Sequence, residues 1–165
     1  MVFGVLEEQL LDPSRHERQY FTSGVVELDE YLHRFALQQS KKGIAVVRVL
    51  VDTDMPKIIL GYYSLSGAQL DAVQMDARTQ QKLPRYPVPC FRLGRLAVHA
   101  AHHGSGLGRI LIGCAVERCL EARKNVAAYA LLVDAKSEKA QAFYAHYGFT
   151  PCRDNPMTLY LALGN

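Results

Sequence analysis

The sequence predicts an α/β fold, a mixed central β-sheet flanked by helices in one domain spanning residues 1–165. Three features carry that prediction. Two β-branched runs, Ile44 to Val51 and Lys57 to Leu65, are separated by a turn and read as an antiparallel hairpin. Further on, an apolar strand runs into a glycine-rich turn, a helix and a second apolar strand, the order of a right-handed crossover with parallel strands. At 165 residues and 49% hydrophobic composition, the chain can bury one sizeable core but not two comfortable domains.

Taken in order, Leu6 to Leu11 reads as an edge strand, because Glu7, Glu8 and Gln9 interrupt it and Asp12-Pro13 closes it with a turn. From Val26, the residues Leu28, Tyr31, Leu32, Phe35 and Ala36 recur at helical spacing opposite Glu27, Asp29, Glu30 and Arg34. This predicts an amphipathic helix starting near Ser23-Gly24, with Gln38 to Gly43 as its polar exit loop. In the second hairpin strand Gly61 marks a bulge or a close approach, and Ser66-Gly67 is expected to end the strand. Asp71 to Leu83 is weakly helical, and Arg85 to Pro89 is a stiff connector, since each proline fixes its own φ and restricts its predecessor. The central strand is then Cys90 to His99. After the glycine turn, Leu107, Ile110, Leu111, Cys114, Ala115, Cys119 and Ala122 form the stripe of a helix ending about Arg123. Val126 to Asp134 reads as a strand buried on both faces. Ser137 is a natural N-cap and Gly148 a natural stop for a helix carrying Ala140, Phe143, Tyr144 and Tyr147 on one side, and Met157 to Leu163 is the last strand.

Composition narrows the function classes. No run approaches the roughly 20 apolar residues of a membrane span, and no basic-then-apolar signal pattern opens the chain, so a cytoplasmic location is expected and no membrane partner. Cys90, Cys114, Cys119 and Cys152 sit among apolar neighbours without a C-x-x-C pair, as core-filling thiols in a reducing compartment. A net charge of +3, from 19 Lys+Arg against 16 Asp+Glu, suits a phosphorylated ligand or a nucleic acid without deciding between them.

The stretch with chemistry in it is His99 to Arg109. Gly104, Gly106 and Gly108 at alternate positions can adopt φ > 0 and offer backbone N–H groups at a helix N-terminus, a site for phosphate or pyrophosphate. The G-x-G-x-G spacing is not the G-x-G-x-x-G of dinucleotide folds. A Walker loop is excluded as well, because Arg109 and Ile110 stand where Lys and Ser or Thr are required. Adjacent His102 and His103 point apart in a loop and lack further ligands at metal-binding spacing, so no metal is expected.

The run from His103 to Gly108 resembles the Q/R-x-x-G-x-G/A acetyl-CoA motif of the GCN5-related N-acetyltransferase (GNAT) family, with His103 in the place of the usual Gln or Arg. Ala142 to Phe149 resembles its later F-Y-x-x-x-G-F element. The resemblance implies a GNAT fold whose parallel strand pair splays around acetyl-CoA. In that family the backbone of Leu96, Ala97 and Val98 would pair with the pantetheine arm. The loop of His103, Gly104, Ser105, Gly106, Leu107, Gly108 and Arg109 would hold the pyrophosphate, with Phe143 and Tyr147 also lining the cofactor. Phe21 to Gly24, Leu28 to Leu32, Ala36 to Gln39 and Gly94 to Val98 are further similar to the GNAT toxins of bacterial toxin–antitoxin pairs that acetylate aminoacyl-tRNA, with Ser23 in place of the cysteine of F-x-C-G. This implies an aminoacyl-tRNA acceptor, a ribbon–helix–helix antitoxin and a homodimer. The alternative is a housekeeping GNAT acting on a protein N-terminus or a small amine.

Acetyl transfer from a thioester needs a neutral amine and a proton for the departing thiolate. A phenol of pKa about 10 can share a proton with a thiol of about 8.5, and the resemblance makes Tyr144 the catalytic tyrosine; helical spacing alone would make it one more core aromatic. Around the central strand the ionisable groups are Arg95 and His99, with no acidic base, which favours an α-amine of pKa about 7.7–8.0 over a lysine of about 10.4. His99 is a candidate base or a strand-end, hydrogen-bonded histidine. For tRNA phosphates the candidates are Lys41, Lys42, Arg85, Arg92 and Arg95.

Overall fold

The computed structural model describes residues 2–85 and 87–164. Among these, seven strands form one mixed sheet: β1 (Leu6–Leu10), β2 (Val46–Asp52), β3 (Gly61–Leu70), β4 (Val88–Val98), β5 (Ala130–Asp134), β6 (Thr150–Pro151) and β7 (Thr158–Ala162), in the order β1-β2-β3-β4-β5-β7-β6. The helices are α1 (Val26–Glu30) and α2 (Ala36–Lys41), joined by a π-helical turn over Tyr31–Phe35, then α3 (Ala77–Gln80), α4 (Leu107–Ala122) and α5 (Glu138–His146). The chain packs as two compact units, Met1–Ser66 with Arg95–Ala115 and Gly67–Gly94 with Val116–Asn165.

In the first unit, β1 pairs antiparallel with β2 and β2 with β3, the hairpin expected from the two apolar runs. Val47, Val49 and Val51 alternate onto one face and meet Tyr31, Leu32 and Ala36 together with Phe21, Tyr62 and Ala97. The other face receives α4: a Cβ on Gly61 would stand 2.8 Å from Leu111 Cδ1 and 2.9 Å from the Ala97 carbonyl. Gly61 is therefore the close-approach glycine, at the first position of β3 rather than inside it. Arg48 pairs with Glu8 at 2.9 Å, and Tyr63, in register with Arg48, donates its hydroxyl to the same carboxylate. Burial and that carboxylate push the Tyr63 phenol far up, so it stays a donor.

The second unit contains the parallel pair. β4 and β5 run parallel from Cys90↔Ala130 to Leu93↔Val133, and β7 pairs antiparallel with β5. Met75, Cys90, Ala130, Leu132, Cys152 and Tyr160 form its core under the 71–83 segment. That segment is clasped by its own polar groups: Asp76 Oδ1 accepts from the Tyr160 hydroxyl at 2.8 Å, and Gln74 and Asp154 exchange bonds of 2.9 and 3.0 Å.

Several boundaries differ from the sequence expectation. β3 passes through Ser66-Gly67 to Leu70, because Gly67 lies on an exposed position where a missing side chain costs little. Lys41 closes α2 and Lys42 is its C-cap, so the expected exit loop is largely helix. The expected strand start at Val126 moves to Ala130, since 126–129 turn back from α4 before pairing begins. Phe35, on the apolar stripe by spacing, is 40% exposed under the Arg34 guanidinium, because the π turn shifts the helical register. The short β6 gave no sequence signal. Ser137 caps α5 by accepting from Ala140 N–H, and Gly148 follows with φ +96°.

Candidate active site

The first group of candidate residues lies where β4 runs past the end of its ladder with β5. The parallel ladder stops at Leu93↔Val133, while β4 continues to Val98, so Gly94 to Val98 have no partner in β5. Ala97 is buried in the α1–α2 core, and His99 N–H donates to the Leu60 carbonyl at 2.8 Å. A single turn, Ala100–His102, then leads into the glycine loop.

Of the three glycines expected to use φ > 0, Gly104 and Gly106 take φ of +81° and +84°, whereas Gly108 lies inside α4 and does not. Among the described residues, the N–H groups of Gly104, Gly106, Leu107, Gly108 and Arg109 have no acceptor. No acidic residue occupies the first turn of α4 to receive them, and exposed Arg109 adds a cation where the helix dipole disfavours one. Unfilled donors and a misplaced cation at one helix end make an anion cradle. His103 turns away from it: its Nε2 meets the Val98 carbonyl at 3.0 Å, and the Ser105 hydroxyl donates to the His102 carbonyl.

His99 has its Nδ1 committed, accepting from Ala101 N–H at 3.1 Å. Burial holds its pKa below the ordinary histidine value.

Tyr144 is on α5, buried to 7% exposure and edge-on to Phe143 (5.3 Å) and Phe149 (5.5 Å), with Tyr147 against Phe143 (5.1 Å). Burial pushes its phenol well above the ordinary tyrosine value. Among the described residues, the hydroxyl has no hydrogen-bond partner, yet no buried side-chain oxygen is left without one. The small exposed part of Tyr144 therefore includes its hydroxyl oxygen, which opens to solvent from an apolar surround.

The basic candidates divide. Lys41, Lys42 and Arg85 are exposed. Arg92 is committed to an ion pair with Asp134, whose other oxygen accepts from Thr158 at 2.8 Å. Arg95 lies over the Tyr31 ring, 3.7 Å from its centroid. Sequence reasoning missed the engaged carboxylates of Asp134 and Asp29. Asp29 receives Ser23 N–H at 2.7 Å, Ser23 Oγ at 2.6 Å and Thr22 Oγ1 at 3.2 Å, and its helical spacing could only mark it as solvent-facing. Ser23 thus contributes a hydroxyl bond at the position where the resembling family carries a thiol. Among the described residues, no group of three or more His, Cys, Asp or Glu gathers to hold a metal ion, and no helix is long and apolar enough to cross a membrane.

Residues 49–151, more than half of the chain, match the family model described as an acetyltransferase (GNAT) domain. The chain belongs to the GNAT family. As a GNAT protein it is an acetyltransferase, and its anion cradle and free β4 edge lie on the elements that the glycine motif marks. A tRNA-acetylating toxin of Mycobacterium tuberculosis (strain H37Rv) is 33% identical over 143 residues, 87% of this chain and 84% of that one. The structure of AtaT complexed with acetyl-methionyl-tRNAfMet matches with a TM-score of 0.88 and 27% identity, covering 96% of this chain and 95% of AtaT. A Tyr-to-Phe variant of AtaT bound to the C-terminus of the antitoxin AtaR and acetyl-CoA matches with a TM-score of 0.81 and 26% identity, covering 96% and 93%.

Proposed function

We propose that this GNAT protein, acting as one domain over residues 1–165, transfers acetyl from acetyl-CoA to the α-amine of an aminoacyl-tRNA and thereby blocks translation. The observation that carries the proposal is the likeness to a tRNA-acetylating toxin along 87% of the chain; the AtaT complex with an acetylated aminoacyl-tRNA supports the same acceptor.

The chain's own groups fit the donor. The free amides of Gly104, Gly106, Leu107, Gly108 and Arg109, with the Arg109 guanidinium, suit a pyrophosphate. Leu96, Ala97 and Val98, beyond the end of the β5 ladder, suit an amide-bearing arm added as a strand would be. Acetyl-CoA supplies the activated acyl group. Tyr144 holds its proton at neutral pH because burial disfavours the phenolate, and that proton is the one its hydroxyl offers to the departing thiolate. The proton released by the attacking amine restores the phenol. With His99 Nδ1 accepting from Ala101 N–H and the Arg95 guanidinium over Tyr31, neither ionisable group of the central strand's end is placed as a strong base. An α-amine of pKa about 7.7–8.0 needs none. Phe143 and Tyr147 complete an aromatic wall beside Tyr144.

The exposed Lys41, Lys42 and Arg85 serve the tRNA backbone, while Arg92 and Arg95 act there only with charge already shared with Asp134 and Tyr31. The regulator is an antitoxin of ribbon–helix–helix type, the protein works as a homodimer, and its location is the cytoplasm; the AtaR-bound AtaT supports the antitoxin. Incubation with radiolabelled acetyl-CoA and either charged or uncharged tRNA tests the proposal. Label is expected in charged tRNA alone; label in a peptide N-terminus or polyamine but in no tRNA would replace it with the small-amine or protein acceptor.

A further inference from the structure

His99 occupies a junction that the acetyl transfer itself does not use. It is the last residue before the Ala100–His102 turn, and its Nδ1 accepts the Ala101 N–H at 3.1 Å as an N-cap. Its backbone is held on both sides of the ring, His99 N–H to Leu60 O at 2.8 Å and Ala100 N–H to Thr22 O at 2.7 Å. The ring stands edge-on to Phe21 at 5.7 Å and beside His102 at 5.8 Å. Because Nδ1 accepts, the neutral ring carries its proton on Nε2. Facing it are His102 and His103 from its own loop, Asp29 from α1, and Glu17, Tyr20, Ile58 and Ile59 around an open cleft of about 260 Å³. His99 is half-buried and lines this open cleft, so protons from solvent reach the imidazole.

The turn capped by His99 frames the glycine loop. Ser105 N–H donates to the His102 carbonyl at 3.3 Å and the Ser105 hydroxyl to the same oxygen, while His103 is tied to Val98. A proton on His99 Nδ1 would point at Ala101 N–H, turning an acceptor facing a donor into two opposed donors. The cap is then lost at the start of the only connection from β4 to the loop.

We infer that His99 is a positioning residue for the donor-binding loop, and that its neutral imidazole makes acetyl-CoA binding sensitive to mild acid. The inference rests on the proposed role of the glycine loop in holding acetyl-CoA. Asn and Asp at position 99 keep an acceptor for Ala101 N–H without an imidazole, and Ala removes it.

The test is calorimetric titration of acetyl-CoA into the full chain and into His99→Asn, His99→Asp and His99→Ala, between pH 8 and pH 5.5. At pH 8 the wild type, Asn and Asp proteins are expected to bind within about threefold of one another and Ala about tenfold more weakly, the size of one capping interaction. At pH 5.5 the wild type should lose about tenfold more affinity than His99→Asn, whose curve subtracts titration of the ligand phosphates and of His102 and His103. The same pH dependence in wild type and both acceptor variants, or wild-type binding by His99→Ala at pH 8, would overturn the role of His99 alone. Absence of binding by the wild type at pH 8 would instead overturn the donor assignment of the loop.

Discussion

At the residue scale, the most informative side chains have few protein partners or have partners the spacing could not name. The Tyr144 hydroxyl makes no hydrogen bond among the described residues, so Tyr144→Phe should leave the melting temperature unchanged within about 2 °C while lowering kcat by about 10²–10⁴-fold. Thermal denaturation beside the labelled-tRNA assay checks both halves; a parallel loss of stability would return Tyr144 to the core aromatics. Asp29 is the reverse case, a structural carboxylate that reads as solvent-facing. Asp29→Ala strands the N–H of Ser23, a buried residue, and should destabilise the protein by about 2 kcal/mol in urea denaturation. Arg92 and Arg95 were legible as cations, but not as cations already engaged, because Asp134 lies 42 positions from Arg92 and Tyr31 belongs to another element.

At the scale of elements, the glycines separate by mechanism. Gly106 has nothing within 4 Å of a notional Cβ, so Gly106→Ala costs about 1 kcal/mol through its φ of +84° alone, and should weaken acetyl-CoA binding by distorting the free amides. Gly61→Ala meets Leu111 and the Ala97 carbonyl and should cost about 1–3 kcal/mol of stability, with a smaller loss of acetyl-CoA affinity than Gly106→Ala because the loop amides keep their backbone conformation. Urea denaturation and calorimetric titration of the two variants give the comparison; equal affinity losses would remove the distinction. Lys41 and Lys42 sit together at the end of α2. Reversing both to Glu should raise the KM for charged tRNA severalfold, steeply at low salt, and leave acetyl-CoA affinity untouched. An equal loss for both substrates would remove these lysines from the tRNA surface.

For the whole molecule, pH dependence follows from histidines kept neutral. His16 is buried, accepting Asp12 N–H at 3.0 Å through Nδ1 and bonded to Gln9 at 2.8 Å through Nε2; its pKa, like that of His99, lies below the ordinary value because of burial. The unfolded chain then binds more protons than the native one below about pH 6.5, so stability is full above that value and falls as pH drops through the histidine window. The urea midpoint should be flat between pH 7 and 8 and decline toward pH 5; a midpoint that rises on acidification contradicts this. A second decline is expected below about pH 4, where Asp12 and Asp76, held below the usual carboxylate value by hydrogen bonds from Ser14 and Thr79, take up protons.

By itself the sequence determined the hairpin, the parallel crossover, the caps at Ser137 and Gly148, and the positive φ at Gly104 and Gly106. Each of these is a local matter of periodicity, backbone freedom or short spacing, which a chain carries before it folds. Tertiary structure alone decided where the β4–β5 ladder ends, which amides of the loop lack acceptors among the described residues, how Tyr144 is buried, and that His99 caps the Ala100–His102 turn. These depend on which atoms distant in sequence come within about 3 Å of one another, a distance no spacing rule encodes.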